Sequence, residues 1–143
     1  MHVSEVMTRG VECTRPETTL DEAANRMREL NVGLLPVCDH DRLVGMLTDR
    51  DITVRATAEA LDPLICQVRD VMTPRVTWCY EDDDVTEAGQ KMKENQIRRL
   101  PVMDRNKRLV GIVSLGDLAI ETGDEILAGS VLEAVSDPNR PQR

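Results

Sequence analysis

Apolar residues along this chain follow two rhythms that alternate. Leu20, Ala23, Ala24, Met27 and Leu30 recur at helical spacing. Thr19 stands ahead of them as an N-cap, and Asp21 and Glu22 fall in the first turn, where the helix dipole favours acids. The plan returns with Asp84 as cap and Val85, Ala88 and Met92 on one face. After each helix comes a short apolar run, residues 34–37 and 100–103, which reads as a strand. Pro36 and Pro101 suit an edge or the start of a strand. Polar turns at 39–41 and 104–107 lead to strands at 43–47 and 109–113, and second helices begin near Asp49 and Leu115. Brief strands are expected at 11–13 and 76–79, ahead of the first helix of each copy. The order is β-α-β-β-α, twice, and the fold class is α+β. Beyond Gly123, the run Ile126, Leu127, Val131, Leu132 and Val135 predicts one more amphipathic helix, ending before Pro138. Residues 139–143 read as a frayed tail.

The duplication extends to the residues themselves. Val6-Met7-Thr8 returns as Val71-Met72-Thr73, and Leu35-Pro36-Val37 returns as Leu100-Pro101-Val102. Arg42-Leu43-Val44-Gly45 returns as Arg108-Leu109-Val110-Gly111. The offset is roughly 65 residues, slipping by one at Lys107, longer than the period of a stacked solenoid. Asp62-Pro63 marks the link, giving domains at 1–66 and at 67–143, the latter with the extra helix. Copies this small are marginal alone and are expected to share an apolar interface. A duplicated unit implies a pseudo-two-fold pair, joined through its sheets, with two equivalent clefts between the halves.

Composition narrows the function. The chain has no Phe, one Trp and one Tyr, so its core is aliphatic. A net charge of -8 argues against wrapping nucleic acid, and the missing aromatics remove the base-stacking platforms for single strands. The longest apolar stretch, around residues 32–38, is far short of a membrane span, and the N-terminus lacks a signal-peptide plan. A cytoplasmic protein without nucleic-acid or membrane partners is expected. Cys13, Cys38, Cys66 and Cys79 form no CxxC pair and have no histidines at zinc-finger spacing, so no metal site is assigned. His2 and His40 read as tail and turn residues. No nucleophile elbow, Walker A loop, GxGxxG fingerprint or HExxH helix occurs, so no catalytic residue is assigned. The acidic run 81–84 reads as a solvated loop and N-cap, with a divalent-cation site as the weaker reading.

The densest chemical signal is the strand-to-helix junction. Thr48-Asp49-Arg50-Asp51 has its counterpart in Ser114-Leu115-Gly116-Asp117. In each, a hydroxyl residue ends the strand and an aspartate follows three positions later. Free backbone N–H groups, a helix dipole and a hydroxyl suit a phosphate there, and the aspartate could accept both hydroxyls of a ribose. The same residues also read as capping boxes with Asp in place of Glu, needing no ligand.

The VMT opening, the LPV strand and the LVGxxT/SxxD ending, duplicated in order, resemble tandem CBS domains, the cystathionine β-synthase domain pair or Bateman module. The resemblance covers nearly the whole chain. It implies two β-α-β-β-α units that commonly bind adenosine-containing ligands in their interdomain clefts, often as homodimers, and regulate an attached or partner protein. Carried over by position, Thr48 and Asp51 form one candidate nucleotide pair, with Arg50 as an added charge. Ser114, Gly116 and Asp117 form the other. The residues before LPV line the ligand in that family. Copy two offers Arg98 and Arg99 for a phosphate where copy one offers the uncharged Val32-Gly33-Leu34, so the second site is expected to bind phosphate better. The adenine would be clasped by Val11, Leu34, Val76 and Leu100, which are otherwise plain core residues.

Cys13 and Cys38 carry a separate expectation. If the first and second strands of copy one are parallel neighbours, both cysteines sit at the same strand end, within disulfide reach. Against it stand the small-hydrophobe behaviour of buried cysteine and the rarity of cytosolic disulfides. The reading is therefore a non-enzymatic sensor of an adenosine nucleotide, with no obligatory cofactor, acting as a homodimer on an unidentified effector protein. The alternatives are a structural adaptor with vestigial pockets and a thiol redox sensor.

Overall fold

The computed structural model describes residues 1–138, and the tail read over 139–143 lies outside the described residues. The chain begins with a helical turn over Val3–Glu5 and strand β1 (Thr8–Arg9). It continues through α1 (Leu20–Leu30), β2 (Leu34–Asp39), β3 (Arg42–Thr48) and the single turn α2 (Asp49–Asp51), which widens into a π-type turn over Ile52–Thr57. Then come α3 (Val68–Val71), β4 (Thr73–Pro74), β5 (Cys79–Tyr80) and α4 (Val85–Asn95). The chain ends with β6 (Arg99–Met103), β7 (Leu109–Ser114), α5 (Leu115–Glu121) and α6 (Glu125–Val135).

These elements make two compact units, but not at 1–66 and 67–143. One is continuous, Glu12–Val76; the other is split, joining Met1–Val11 to the chain from Thr77 onward. The boundary differs because the opening segment of each copy pairs with the last strand of the other copy's sequence. β1 runs antiparallel to β7, setting Thr8 opposite Ile112 and Arg9 opposite Gly111. β4 runs antiparallel to β3, setting Thr73 opposite Met46 and Pro74 opposite Gly45. The split unit thus has a four-stranded sheet, β1-β7-β6-β5, and the continuous unit a three-stranded one, β2-β3-β4.

The expected strand at 11–13 is reduced to one parallel bridge between Thr14 and Val37, while β5 pairs in parallel with Val102 and Met103. Pro36 lies in β2, at an edge of its sheet. Pro101 lies in an inner strand, yet β5 is so short that its pairing stops at Val102, so no ladder donor is missed.

Leu20, Ala23 and Met27 turn inward in the continuous unit, meeting Leu35, Val37 and Leu47 of the sheet and Val68 and Val71 of α3. In the split unit Val85, Ala88 and Met92 face Leu100, Val102 and Val113. That core also takes in Val3 and Val6 from the N-terminus and Val131 and Val135 from α6. Fully burying one such side chain stabilises by roughly 1.5–3 kcal/mol, so both additions matter to a small unit. α1 and α4 end alike, on Asn31 (φ 55°) and Gln96 (φ 51°) in left-handed conformation. Their starts differ. Asp84 accepts the Thr86 N–H at 3.0 Å, whereas the Thr19 hydroxyl forms no cap bond and instead donates to Asp21 at 2.6 Å.

Candidate functional site

Both strand-to-helix junctions close as capping boxes. The Asp51 N–H donates to Thr48 Oγ1 and the Thr48 N–H donates to Asp51 Oδ2, each at 3.0 Å. At the second junction the Asp117 N–H donates to Ser114 Oγ at 3.0 Å and the Ser114 N–H donates to Asp117 Oδ2 at 2.8 Å. A further bond ties each turn to the residue preceding the middle strand. The Asp49 N–H donates to the Gly33 carbonyl at 2.9 Å, and the Leu115 N–H to the Arg98 carbonyl at 2.8 Å. The free N–H groups expected there are therefore largely spoken for, because short helices satisfy their first-turn donors from within.

What remains separates the two junctions. At the first, the Arg50 N–H donates to Asp49 Oδ1 at 2.8 Å, so the protein's own carboxylate holds the last donor of the turn. That carboxylate also lies over Gly33, where an added Cβ would stand 2.8 Å from Asp49 Oδ2. At the second, Leu115 replaces Asp49 and has no oxygen to offer the Gly116 N–H, while Arg98 replaces Gly33. The carboxylate that fills the first junction would repel an incoming phosphate; the second junction has no such group.

The second junction also opens a cavity of about 480 Å³. Arg98, Arg99, Ser114 and Gly116 supply its polar wall, and Leu115, Ala119 and the α6 residues Ala128, Gly129 and Leu132 supply its apolar wall. This volume lies within the usual range for small-molecule sites, roughly 300–1,000 Å³. Neither Arg98 nor Arg99 forms an ion pair with a described residue; Arg98 only reaches Ser136 Oγ at 3.3 Å. Asp117 does not line the cavity. It is half-buried behind Ser114, with one carboxylate oxygen on the cap and the other without a hydrogen bond to a described residue.

The profile of the CBS domain matches residues 3–56 and again 68–122. The chain belongs to the CBS domain family. One relative, CBS domain-containing protein YhcV of Bacillus subtilis, is 42% identical over 137 residues, covering 96% of each chain. Among solved structures, hypoxic response protein I with two coordinated zinc ions is 39% identical, with a TM-score of 0.76 over 83% of this chain and 97% of that one. The CBS domain pair of the protein MJ0100, in complex with 5′-methylthioadenosine and S-adenosyl-L-methionine, is 29% identical. Its TM-score is 0.75, over 86% of this chain and 100% of that one.

The remaining residues singled out in the sequence are scattered through this CBS pair. Val11, Leu34 and Val76 are half-buried and Leu100 has no exposed surface. None of the four lines the cavity, whose apolar wall comes from α5 and α6. The signal for that wall was present in the small residues Ala128 and Gly129 set beside Leu132. Arg50 is exposed, and Arg55, one turn beyond Asp51, lies with its Nε 3.9 Å from Asp51 Oδ1 while donating to the carbonyls of Val71 and Met72.

The three aspartates of the acidic run are taken up by the protein itself. Asp82 pairs with Arg105 at 2.8 Å, Asp83 accepts the Tyr80 N–H, and Asp84 caps α4 and meets the N-terminal ammonium at 3.2 Å. Among the described residues no group of three His, Cys, Asp or Glu could hold a metal ion. Among the same residues no helix is long and apolar enough to cross a membrane.

Proposed function

We propose that this CBS pair is a non-enzymatic regulatory module that binds a phosphate-bearing adenosine nucleotide at its second junction. Arg98 and Arg99 would meet the phosphate, Ser114 and Gly116 would contact it alongside them, and Asp117, behind the cavity wall, would hold Ser114 in place through the cap. The observation that carries this reading is the cavity itself, where two guanidinium groups without acidic partners among the described residues share a wall with a hydroxyl at a junction free of the Asp49 carboxylate. Guanidinium groups bind phosphate by paired, charge-assisted hydrogen bonds. The aliphatic wall of α5 and α6 gives the adenine ring an apolar face in a chain almost without aromatics. The adenosine compounds bound by the MJ0100 domain pair support the ligand class. Thr48, Arg50 and Asp51 would form a weaker or phosphate-free counterpart. Binding would shift the population of conformers that a partner protein, or a second copy of the chain, reads.

Calorimetric titration of the reduced protein with AMP, ADP, ATP and S-adenosylmethionine tests this. The wild type is expected to bind at least one phosphate-bearing ligand in the micromolar range. Arg98→Ala with Arg99→Ala should weaken that binding about ten- to a hundredfold, since hydrogen bonds to charged groups contribute about 1.5–3 kcal/mol. The fold should persist. Absence of heat from every ligand, with the protein folded, would sink the proposal.

A second reading has its own observation. Both capping boxes are complete without a ligand, as expected of a structural adaptor whose T/S-x-x-D motifs only start helices. In that case Asp117→Ala lowers stability by about 1 kcal/mol, the usual effect of a lost cap, with no ligand phenotype.

A further inference from the structure

We propose that Cys13 and Cys38 are an oxidisable thiol pair, which a hydroperoxide converts to an intramolecular disulfide at the start of the continuous unit. This inference is independent of the nucleotide reading. The fold sets the pair up through the backbone. The Thr14 N–H donates to the Pro36 carbonyl at 2.8 Å and the Cys38 N–H donates to the Thr14 carbonyl at 2.9 Å. The parallel bridge between Thr14 and Val37 sets the cysteines diagonally across it, Cys13 one residue before the bridge on one segment and Cys38 one residue after it on the other. Their sulfurs lie 3.2 Å apart although 25 positions separate them in sequence.

The two thiols are not equivalent. Cys13 is exposed, whereas Cys38 has 4% of its surface exposed, beside the register shift of β2. The Cys38 S–H donates to Cys13, which holds the Cys13 thiol below its ordinary range despite some loss of hydration at the sulfur and the nearby Asp41. Donating that hydrogen bond pushes the Cys38 thiol up, and burial adds to it. Cys13 is therefore the accessible nucleophile and Cys38 the resolving thiol. The other cysteines lack this arrangement. Cys79 is fully buried, and burial pushes its thiol up to about 12. Cys66 is buried, with its sulfur 3.8 Å from both the Gln67 carbonyl and Asp70 Oδ2.

The chemistry balances in two steps. The Cys13 thiolate attacks one peroxide oxygen, so an S–O bond forms and the O–O bond breaks. The departing oxygen takes up a proton and leaves as water, or as an alcohol from an organic peroxide. The Cys38 sulfur then attacks the Cys13 sulfenic acid. An S–S bond forms, the S–O bond breaks, and the oxygen leaves with the Cys38 proton as water. The two thiols lose two electrons, which the peroxide gains.

The test treats the reduced full chain with stoichiometric hydrogen peroxide, alkylates the remaining thiols and maps the digest without reductant. The expected product is one linked peptide pair, Cys13 with Cys38, lighter by two hydrogens and reversed by dithiothreitol, with Cys66 and Cys79 still alkylated. Cys13→Ser, at an exposed position, should remove the link and leave the other thiols unoxidised. Cys38→Ser should leave a sulfenic acid on Cys13 that dimedone traps; because Cys38 is buried, the wild-type map and the Cys13→Ser variant decide the matter if this variant does not fold. A link involving Cys66 or Cys79, or Cys13 carried to sulfinic acid beside a free Cys38, would overturn the proposal.

Discussion

Gly45 and Gly111 show how one missing methyl shapes this protein. A Cβ at Gly111 would stand 2.5 Å from the Thr8 carbonyl, and one at Gly45 would stand 2.8 Å from the Thr73 carbonyl and from the Met72 sulfur. Each glycine admits the short antiparallel strand that completes its sheet. Gly111→Ala must push β1 outward, and overpacking of this kind destabilises by roughly 1–3 kcal/mol. Chemical denaturation should show that loss as a lower midpoint with an unchanged slope; an unchanged midpoint would mean that β1 is not held there. Asp49 is the other decisive residue. The repeated T/S-x-x-D motif is legible in the sequence, but the carboxylate beside Thr48 gains its meaning only once the fold lays it over the Arg50 N–H.

At the scale of elements, α4 is the helix whose start depends most visibly on charge. The Thr86 hydroxyl and N–H and the N-terminal ammonium all act on Asp84, depressing its carboxyl to about 2 from an ordinary value of about 3.9. A depressed carboxyl contributes stability above the unfolded value, and that contribution is lost as pH falls toward 2. Asp84→Asn keeps a capping side chain but drops the charge. The melting temperature of the variant should fall below wild type near neutral pH, and the gap should close between about pH 4 and pH 2. A gap constant across that window would show that the charge contributes nothing. The Cys13–Cys38 link belongs to this scale too, since it would staple the segment ahead of α1 to strand β2. By chain entropy, closing a loop of 25 positions adds about 3.5 kcal/mol to the oxidised form.

For the whole molecule, the consequential feature is the division into a continuous and a split unit. Val3 and Val6 have 0% and 5% of their surface exposed, within a core built otherwise from the far end of the chain. A chain beginning at Glu12 should therefore lose stability in the unit from Thr77 onward, while Glu12–Val76 keeps its own core. Limited proteolysis would show this as early cleavage beyond Thr77; equal resistance of both units would contradict it. The amphipathic periods, the two copies, the caps at Thr48, Asp84 and Ser114 and the CBS resemblance are all written in the sequence, because helix and strand patterns are local and a duplication is visible as text. α6 was legible as a helix, but its place on the cavity wall depends on contacts with α5 and α4 that no local pattern encodes. The pairing of β1 with β7 and of β4 with β3 was beyond the sequence for the opposite reason. The two openings, Val6-Met7-Thr8 and Val71-Met72-Thr73, are identical, so nothing local distinguishes one partner strand from the other. Only the three-dimensional path of the backbone makes that choice, and the same path brings Cys13 to Cys38 and sets Arg98 and Arg99 beside Ser114.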